Sequence, residues 1–306
     1  MEEILIFGHK NPDTDTIMSA IAMADLETKK GNNVKPCRLG NINKETKYAL
    51  EFFEQEEPEL IEKVEEDQKV MLVDHNEFGQ SVEGIEKAKI LSVVDHHKIA
   101  NFETSEPLYY TAMPVGCTAT ILYNMYKQEN IEIEPKTAGL MLSAIISDTL
   151  LFKSPTCTEK DVEAAKKLAE IANVDENAYG LDMLKAGTDL SDFTPEELIN
   201  IDSKTFSKND VKCQIAQVNT TSIEDVLKDK EAIENAMKNF IEENSEDFFI
   251  LLITDILENN SQILVAGNKL DLVEKAFNVS LKDNMAFLPG VVSRKKQVVP
   301  VIDKIM

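Results

Sequence analysis

Along most of the chain, short uninterrupted apolar runs alternate with longer stretches whose apolar residues recur every three or four positions. Ile4-Leu-Ile-Phe7, Val70-Met-Leu-Val73 and Ile90-Leu-Ser-Val-Val94 have the pattern of strands covered on both faces of a parallel sheet. Helical spacing predicts helices over 16–30, 44–56, 117–129, 136–150 and 159–171, with Thr14 or Asp15 capping the first. This alternation predicts an α/β domain with a mostly parallel sheet flanked by helices. A polar stretch over 186–194, followed by Pro195, reads as a linker. The expected organisation is a first domain over 1–187, a linker and hinge over 188–195, and a smaller α/β domain over 196–306. The second domain begins with a strand over 211–218, a helix over 223–244 and strands over 248–256 and 263–266, and ends in a mixed tail.

Composition narrows the function classes. The 306 residues are 43% apolar and 28% charged, ordinary for a folded protein and unlike a disordered one. No apolar run approaches the roughly 18 residues of a spanning helix, and the start at Met1 carries no basic secretory region. Cys37, Cys117, Cys157 and Cys213 are far apart and form no CxxC pair, which speaks against structural zinc and disulfides and for a reducing cytoplasm. A net charge of −23 repels polyanions, so neither nucleic acid nor a membrane is an expected partner. A small anionic substrate would need cations supplied locally.

The four histidines, His9, His75, His96 and His97, all lie in the first third and follow strand-like runs. Each stands among aspartates, in Gly8-His-Lys-Asn-Pro-Asp-Thr-Asp15, Asp74-His75-Asn76 and Asp95-His-His97. Strand carboxyl ends are where open parallel sheets bind ligands, so these side chains should meet at one edge. Clustered carboxylates repel unless a cation compensates them, and imidazole with carboxylate suits a first-row ion such as Mn2+. An excess of carboxylates over the needs of one ion suggests two ions with a shared Asp. Asp148 ends an apolar helix, where the dipole disfavours an anion; an exposed helix end or a nearby metal would each explain it. Ser293-Arg-Lys-Lys-Gln297, the densest basic cluster, fits either a solvated loop or a phosphate clamp. By itself Lys204 reads as a surface strand lysine.

Together, Gly8–Asp15, Asp95-His-His97, Gly116-Cys-Thr-Ala-Thr120, Ser147-Asp-Thr149 and Ser293–Gln297 resemble the family II, manganese-dependent inorganic pyrophosphatases of the DHH phosphoesterase superfamily. The resemblance covers essentially the whole chain. It implies a DHH domain followed by a smaller mixed-sheet DHHA2-like domain, with the active site in the cleft between them. It implies one Mn2+ on His9, Asp13 and Asp74 and a second on Asp15, Asp74, His96 and Asp148, with Co2+ able to substitute. His97 is placed beside the metals and substrate, and Lys204, Arg294 and Lys295 on the pyrophosphate oxygens. His75 is not a ligand in this pattern. The implied reaction is hydrolysis of pyrophosphate to two orthophosphates by a water or hydroxide bridging the two metals, with a further Mg2+ or Mn2+ arriving with substrate. His97 and a metal-bound water are both candidates to protonate the leaving group. A homodimer through the first domain is implied too. Only about 50 residues separate the Asp-His-His motif from Asp148, too few for a regulatory CBS insert. The rivals are an exopolyphosphatase, an oligonucleotide phosphodiesterase and a non-catalytic metal binder. Against the second stands the lack of any histidine after His97 and of any triple glycine.

Overall fold

A computed structural model describes residues 3–306; Met1 and Glu2, where the reading of the chain start begins, lie outside the described residues. The chain divides into two compact units, one through Gly187 and one from Thr188 to Met306.

The first unit runs β1 (Ile4–Phe7), α1 (Thr14–Lys29), β2 (Val34–Arg38), α2 (Lys44–Phe52), β3 (Glu59–Leu60), β4 (Lys69–Val73), β5 (Lys89–Asp95), β6 (Tyr109–Ala112), α3 (Thr118–Glu129), α4 (Pro135–Thr149), α5 (Glu159–Ala172) and α6 (Glu176–Gly187). Its six strands are all parallel, in the order β3-β2-β1-β4-β5-β6. The order reverses between β1 and β4, and such a switch opens a crevice at the strand carboxyl ends. Phe7 and Leu72 are register partners, so His9 and Asp74 leave neighbouring strands at the same level. One face of the sheet buries Phe7, Val70, Leu72 and Val93 with Cys37 and Ile85. Helix α1 packs against α3 and α4.

The second unit contains α7 (Pro195–Leu198), β7 (Ser203–Lys208), β8 (Val211–Thr220), α8 (Ile223–Leu227), α9 (Lys230–Asn244), β9 (Phe248–Asp255), β10 (Asn260–Gly267), α10 (Leu270–Phe277), β11 (Met285–Pro289) and α11 (Val299–Ile305). Its sheet is mixed, in the order β11-β10-β9-β8-β7, with only β8 and β9 parallel. Alternate β9 residues enter two cores. Phe249, Leu251 and Ile253 pack with Ile233 and Met237 of α9, and Phe248, Ile250 and Leu252 pack with Val273 of α10 and Ile302 of α11. Burial on both faces explains the unbroken apolar run in β9.

Several boundaries differ from the sequence reading. Asp13, rather than Thr14 or Asp15, caps α1, because its Oδ1 accepts the Thr16 amide at 2.9 Å. Helix α2 stops at Phe52, with Glu54 in the left-handed region just beyond. The helix expected over 223–244 is two, because α8 closes as Lys228 N donates to Asp225 O and a new helix starts after Asp229. Residues 176–187, left without an element by the sequence pattern, form α6. Thr188 onward belongs to the second unit, where Leu190 packs on the core beside α9.

Candidate metal centre

The loop after β1 delivers His9 and then Asp13 and Asp15 at the start of α1, while Asp74 follows β4 directly. Asp74 adopts a φ of 58°, the left-handed region that aspartate tolerates better than most residues. Its amide still donates to Val94 O at 2.9 Å, which ties the turn to β5. His96 and His97 follow β5, and Asp148 lies in the last turn of α4.

These residues meet. His9 Nε2 stands 3.4 Å from Asp13 Oδ2 and 3.5 Å from Asp74 Oδ2. His96 Nε2 stands 3.3 Å from Asp74 Oδ1 and 3.6 Å from Asp148 Oδ2. The donor atoms of His9, Asp13 and Asp74 form one close group, and those of Asp15, Asp74, His96 and Asp148 another. His97 joins Asp74 and His96 in a third grouping, with its Nδ1 3.6 Å from Asp74 Oδ1. Asp74 is common to all three groups, and its two oxygens face different histidines. Adjacent ligands of a first-row ion with bonds of about 2.1 Å stand roughly 3.0–3.4 Å apart, close to these separations.

Polar neighbours hold the carboxylates in place. Thr16 Oγ1 donates to Asp74 Oδ2 at 2.6 Å and Thr118 Oγ1 to Asp74 Oδ1 at 3.1 Å. Asp15 accepts Ser19 Oγ and the amides of Thr118 and Ala119, so the α3 N-terminus faces a carboxylate. Gly8 leaves room for Thr16 to reach Asp74, since a Cβ there would stand 2.5 Å from Thr16 Cγ2. Asp95 is buried, accepts Asn76 Nδ2 at 2.6 Å and lies 2.9 Å from His97 Nδ1. His75 is occupied otherwise, with Nδ1 at Val73 O and Nε2 at Ser81 Oγ. Thr16, Thr118, Asp95 and Asn76 drew no notice as supporting residues in the sequence. Thr118 and Asp95 do stand inside the motifs that carry the family resemblance.

The carboxylates and imidazoles of the cluster shift one another's titration. Burial, then Asp15 and Asp74, push the Asp148 carboxyl well above the usual range. Burial and Asp74 raise Asp15 to about 6. Burial disfavours imidazolium at His9 and His96, but hydrogen bonds and charges from the aspartates outweigh it, raising His9 to about 10 and His96 to about 9. Burial likewise opposes charge on Asp74, yet His9 and His96 hold it far below normal. Without another cation the site thus neutralises its carboxylates with protons, and the all-oxygen and imidazole donor set fits divalent manganese in their place.

Coordination requires neutral imidazole and ionised carboxylate, so metal must displace those protons. Mn2+ added to stripped protein at pH 7.5 in weak buffer is expected to acidify the solution, with protons from His9 and His96. Because the metal-free pKa values are raised, protons compete less as pH rises, and apparent affinity should climb up to about pH 9–10. A pH indicator reads the release directly; uptake without release would contradict this protonation scheme.

In the second unit, Lys204 is exposed on β7 with Ile215 of β8 as its register partner. Arg294 begins a short π-helical turn over Arg294–Val298 and is buried. Its Nη1 donates to Asp202 O and to Ile215 O at 3.2 Å, and Nη2 to Asp202 Oδ1 at 2.7 Å. The Ile215 carbonyl therefore places Arg294 beside the strand pair that carries Lys204. Gln297 Oε1 accepts the amides of Val292 and Ser293, shaping the turn, and Lys295 is exposed.

Comparison with known proteins places the chain in a family. Residues 3–145 match the DHH family N-terminal domain and residues 181–305 the DHHA2 domain. The manganese-dependent inorganic pyrophosphatase of Bacillus subtilis strain 168 is 61% identical, over 100% of this chain and 99% of its own. A Bacillus velezensis protein assigned to the same enzyme class is 62% identical, over 99% of this chain and 98% of its own. The crystal structure of a Methanococcus jannaschii protein assigned to the family II inorganic pyrophosphatases aligns with a TM-score of 0.64 at 44% identity, covering 99% of each chain. With identity of this level over the full length and both domains in order, the chain belongs to the family II, manganese-dependent inorganic pyrophosphatases of the DHH superfamily.

Proposed function

We propose that this chain hydrolyses inorganic pyrophosphate to two orthophosphates at the cluster around Asp74. The observation that carries the reading is the division of the Asp74 carboxylate, with Oδ2 toward His9 and Oδ1 toward His96. His9, Asp13 and Asp74 would hold one ion, and Asp15, Asp74, His96 and Asp148 the other. Manganese bound there supplies Lewis-acid activation of water near neutral pH and charge neutralisation on the phosphates.

The chain's own residues do the rest. Asp95 accepts from His97 Nδ1, which fixes the tautomer and leaves Nε2 to exchange a proton with the departing phosphate. The same hydrogen bond outweighs burial, which opposes the charge, and so raises the His97 pKa and favours its protonated form. Lys204, Arg294 and Lys295 supply cations to the pyrophosphate, which a chain of net charge −23 needs at its binding site. Asp202 already holds the Arg294 fork, so phosphate must compete with or extend that contact. Residues 188–195 act as the hinge, Co2+ substitutes for Mn2+, and a further Mg2+ or Mn2+ accompanies the substrate.

A homodimer through the first unit is part of this reading. Strand β6 ends the sheet with one edge unpaired, and Tyr109 on it is 86% exposed. Among the described residues no helix is long and apolar enough to cross a membrane, and all four cysteines are free, consistent with a cytoplasmic home.

Substrate choice tests the proposal. With Mn2+ present, phosphate release from pyrophosphate should exceed release from tripolyphosphate or a short oligonucleotide by at least about 100-fold, the scale of one well-used binding contrast. Equal rates on the longer substrates would favour the exopolyphosphatase or phosphodiesterase readings.

A further inference from the structure

Glu45, in the first turn of α2, is not among the candidate ligands, yet it bonds residues next to them in sequence on two different helices. Its Oε1 accepts Thr14 Oγ1 at 2.7 Å and also accepts Ser147 Oγ. Thr14 lies between Asp13 and Asp15 at the start of α1, and Ser147 precedes Asp148 at the end of α4. Thr46, next along α2, meets the same Thr14 hydroxyl at 3.1 Å. One carboxylate oxygen thus joins two segments more than a hundred residues apart that bear three of the candidate ligands. The opposite side of Glu45 lies against Gly187, the last residue of α6 and of the first unit. A Cβ at Gly187 would stand 2.8 Å from Glu45 Cβ and 3.0 Å from its Oε2, so only glycine leaves the side chain undisturbed.

We infer that Glu45 is a positioning residue for the metal centre, setting the spacing of Asp13 and Asp15 relative to Asp148 through the Thr14 and Ser147 hydroxyls. The inference rests on the metal-site reading above. It acts by geometry: the α1 N-terminus and α4 C-terminus are not covalent neighbours, and Glu45 is the acceptor that both hydroxyls share. Hydrogen-bonding partners behind metal ligands commonly contribute 10- to 100-fold to metal affinity, because a ligand free to rotate binds less well. Gly187 belongs to the same device, since any larger residue there would crowd Glu45 and displace it from its present position.

The experiment measures Mn2+ dissociation constants on stripped full-length protein by titration calorimetry, together with the melting temperature of the metal-free form. Glu45→Ala should weaken Mn2+ binding about 10- to 100-fold, and Glu45→Gln, which keeps an accepting oxygen, should recover most of the loss. Ser147→Ala, which removes one arm and keeps the carboxylate, should show a smaller loss, and Glu45→Ala with Ser147→Ala should lose no more than Glu45→Ala alone. Ser143→Ala is the control. It removes a buried hydrogen bond to Tyr179 from the same helix, one turn away, and should lower the melting temperature without changing Mn2+ affinity. Wild-type affinity in Glu45→Ala and Ser147→Ala, or equal weakening by Ser143→Ala, would overturn the inference. Should Glu45→Ala not fold, Ser147→Ala and Glu45→Gln decide alone. Absence of Mn2+ binding by the unmodified protein would instead count against the proposed function.

Discussion

Replacing Asp74 by Asn is expected to abolish pyrophosphate hydrolysis and tight Mn2+ binding together. The change is nearly isosteric, so the turn after β4 should survive, and Asn tolerates the left-handed φ of 58° as well as Asp does. What disappears is the anionic pair of oxygens that faces His9 on one side and His96 on the other. An amide offers one oxygen, and its nitrogen would confront one of the two ion positions with a donor. Thr16 and Thr118 both donate to the carboxylate, so one of the two hydroxyls would have to turn and accept from the amide nitrogen instead. The expected loss in kcat/KM is at least three orders of magnitude, about 4 kcal/mol. Calorimetry with Mn2+ and a phosphate-release assay on the same preparation check it. A variant that keeps both ions and most of its rate would remove Asp74 from the centre of the account.

Arg294→Ala should separate the two halves of the machinery. Mn2+ affinity should stay at its original value, while kcat/KM for pyrophosphate falls about 10²- to 10³-fold, the cost of removing one charged donor from a developing oxyanion. The guanidinium is also structural, because its loss removes the hydrogen bonds that its Nη1 gives to the Asp202 and Ile215 carbonyls and that its Nη2 gives to Asp202 Oδ1. The second unit should therefore lose about 1–3 kcal/mol of stability. Arg294→Lys keeps the charge and loses the fork, so it should restore part of the rate and little of the packing. Loss of metal in Arg294→Ala would show that the division of labour between ligands and cations is wrong.

The parts of this molecule legible in the sequence are those whose cause is local. Strands β1, β4, β5 and β9 read clearly because burial on both faces makes them continuous apolar runs. The candidate ligands read clearly because each histidine trails such a run. By contrast β2, Val34-Lys-Pro-Cys-Arg38, has one fully buried residue and a proline, so nothing in its pattern marks a strand. Helix α6 contains Gly180 and ends at Gly187, which weakens its helical signal. The break between α8 and α9 falls at Lys228-Asp229, polar residues that a continuous helix would carry equally well on its outer face. Least visible are the residues that hold the ligands still. Thr118 reaches Asp15 and Asp74, Asp161 accepts the Gly116 amide before α3, and Glu45 joins α1 to α4. These contacts depend on the strand order, with its reversal between β1 and β4, and no short stretch of sequence encodes that order.

The central claim is that ions shared across Asp74 drive cleavage of pyrophosphate. The most direct measurement strips the protein with EDTA, adds Mn2+ back in steps, and records phosphate released from pyrophosphate against manganese bound. The account predicts negligible release from the stripped protein and a rise to a plateau at two Mn2+ per chain, the two positions that Asp74 would bridge. Full activity without metal, or Mn2+ bound at that ratio with no phosphate released, would contradict it.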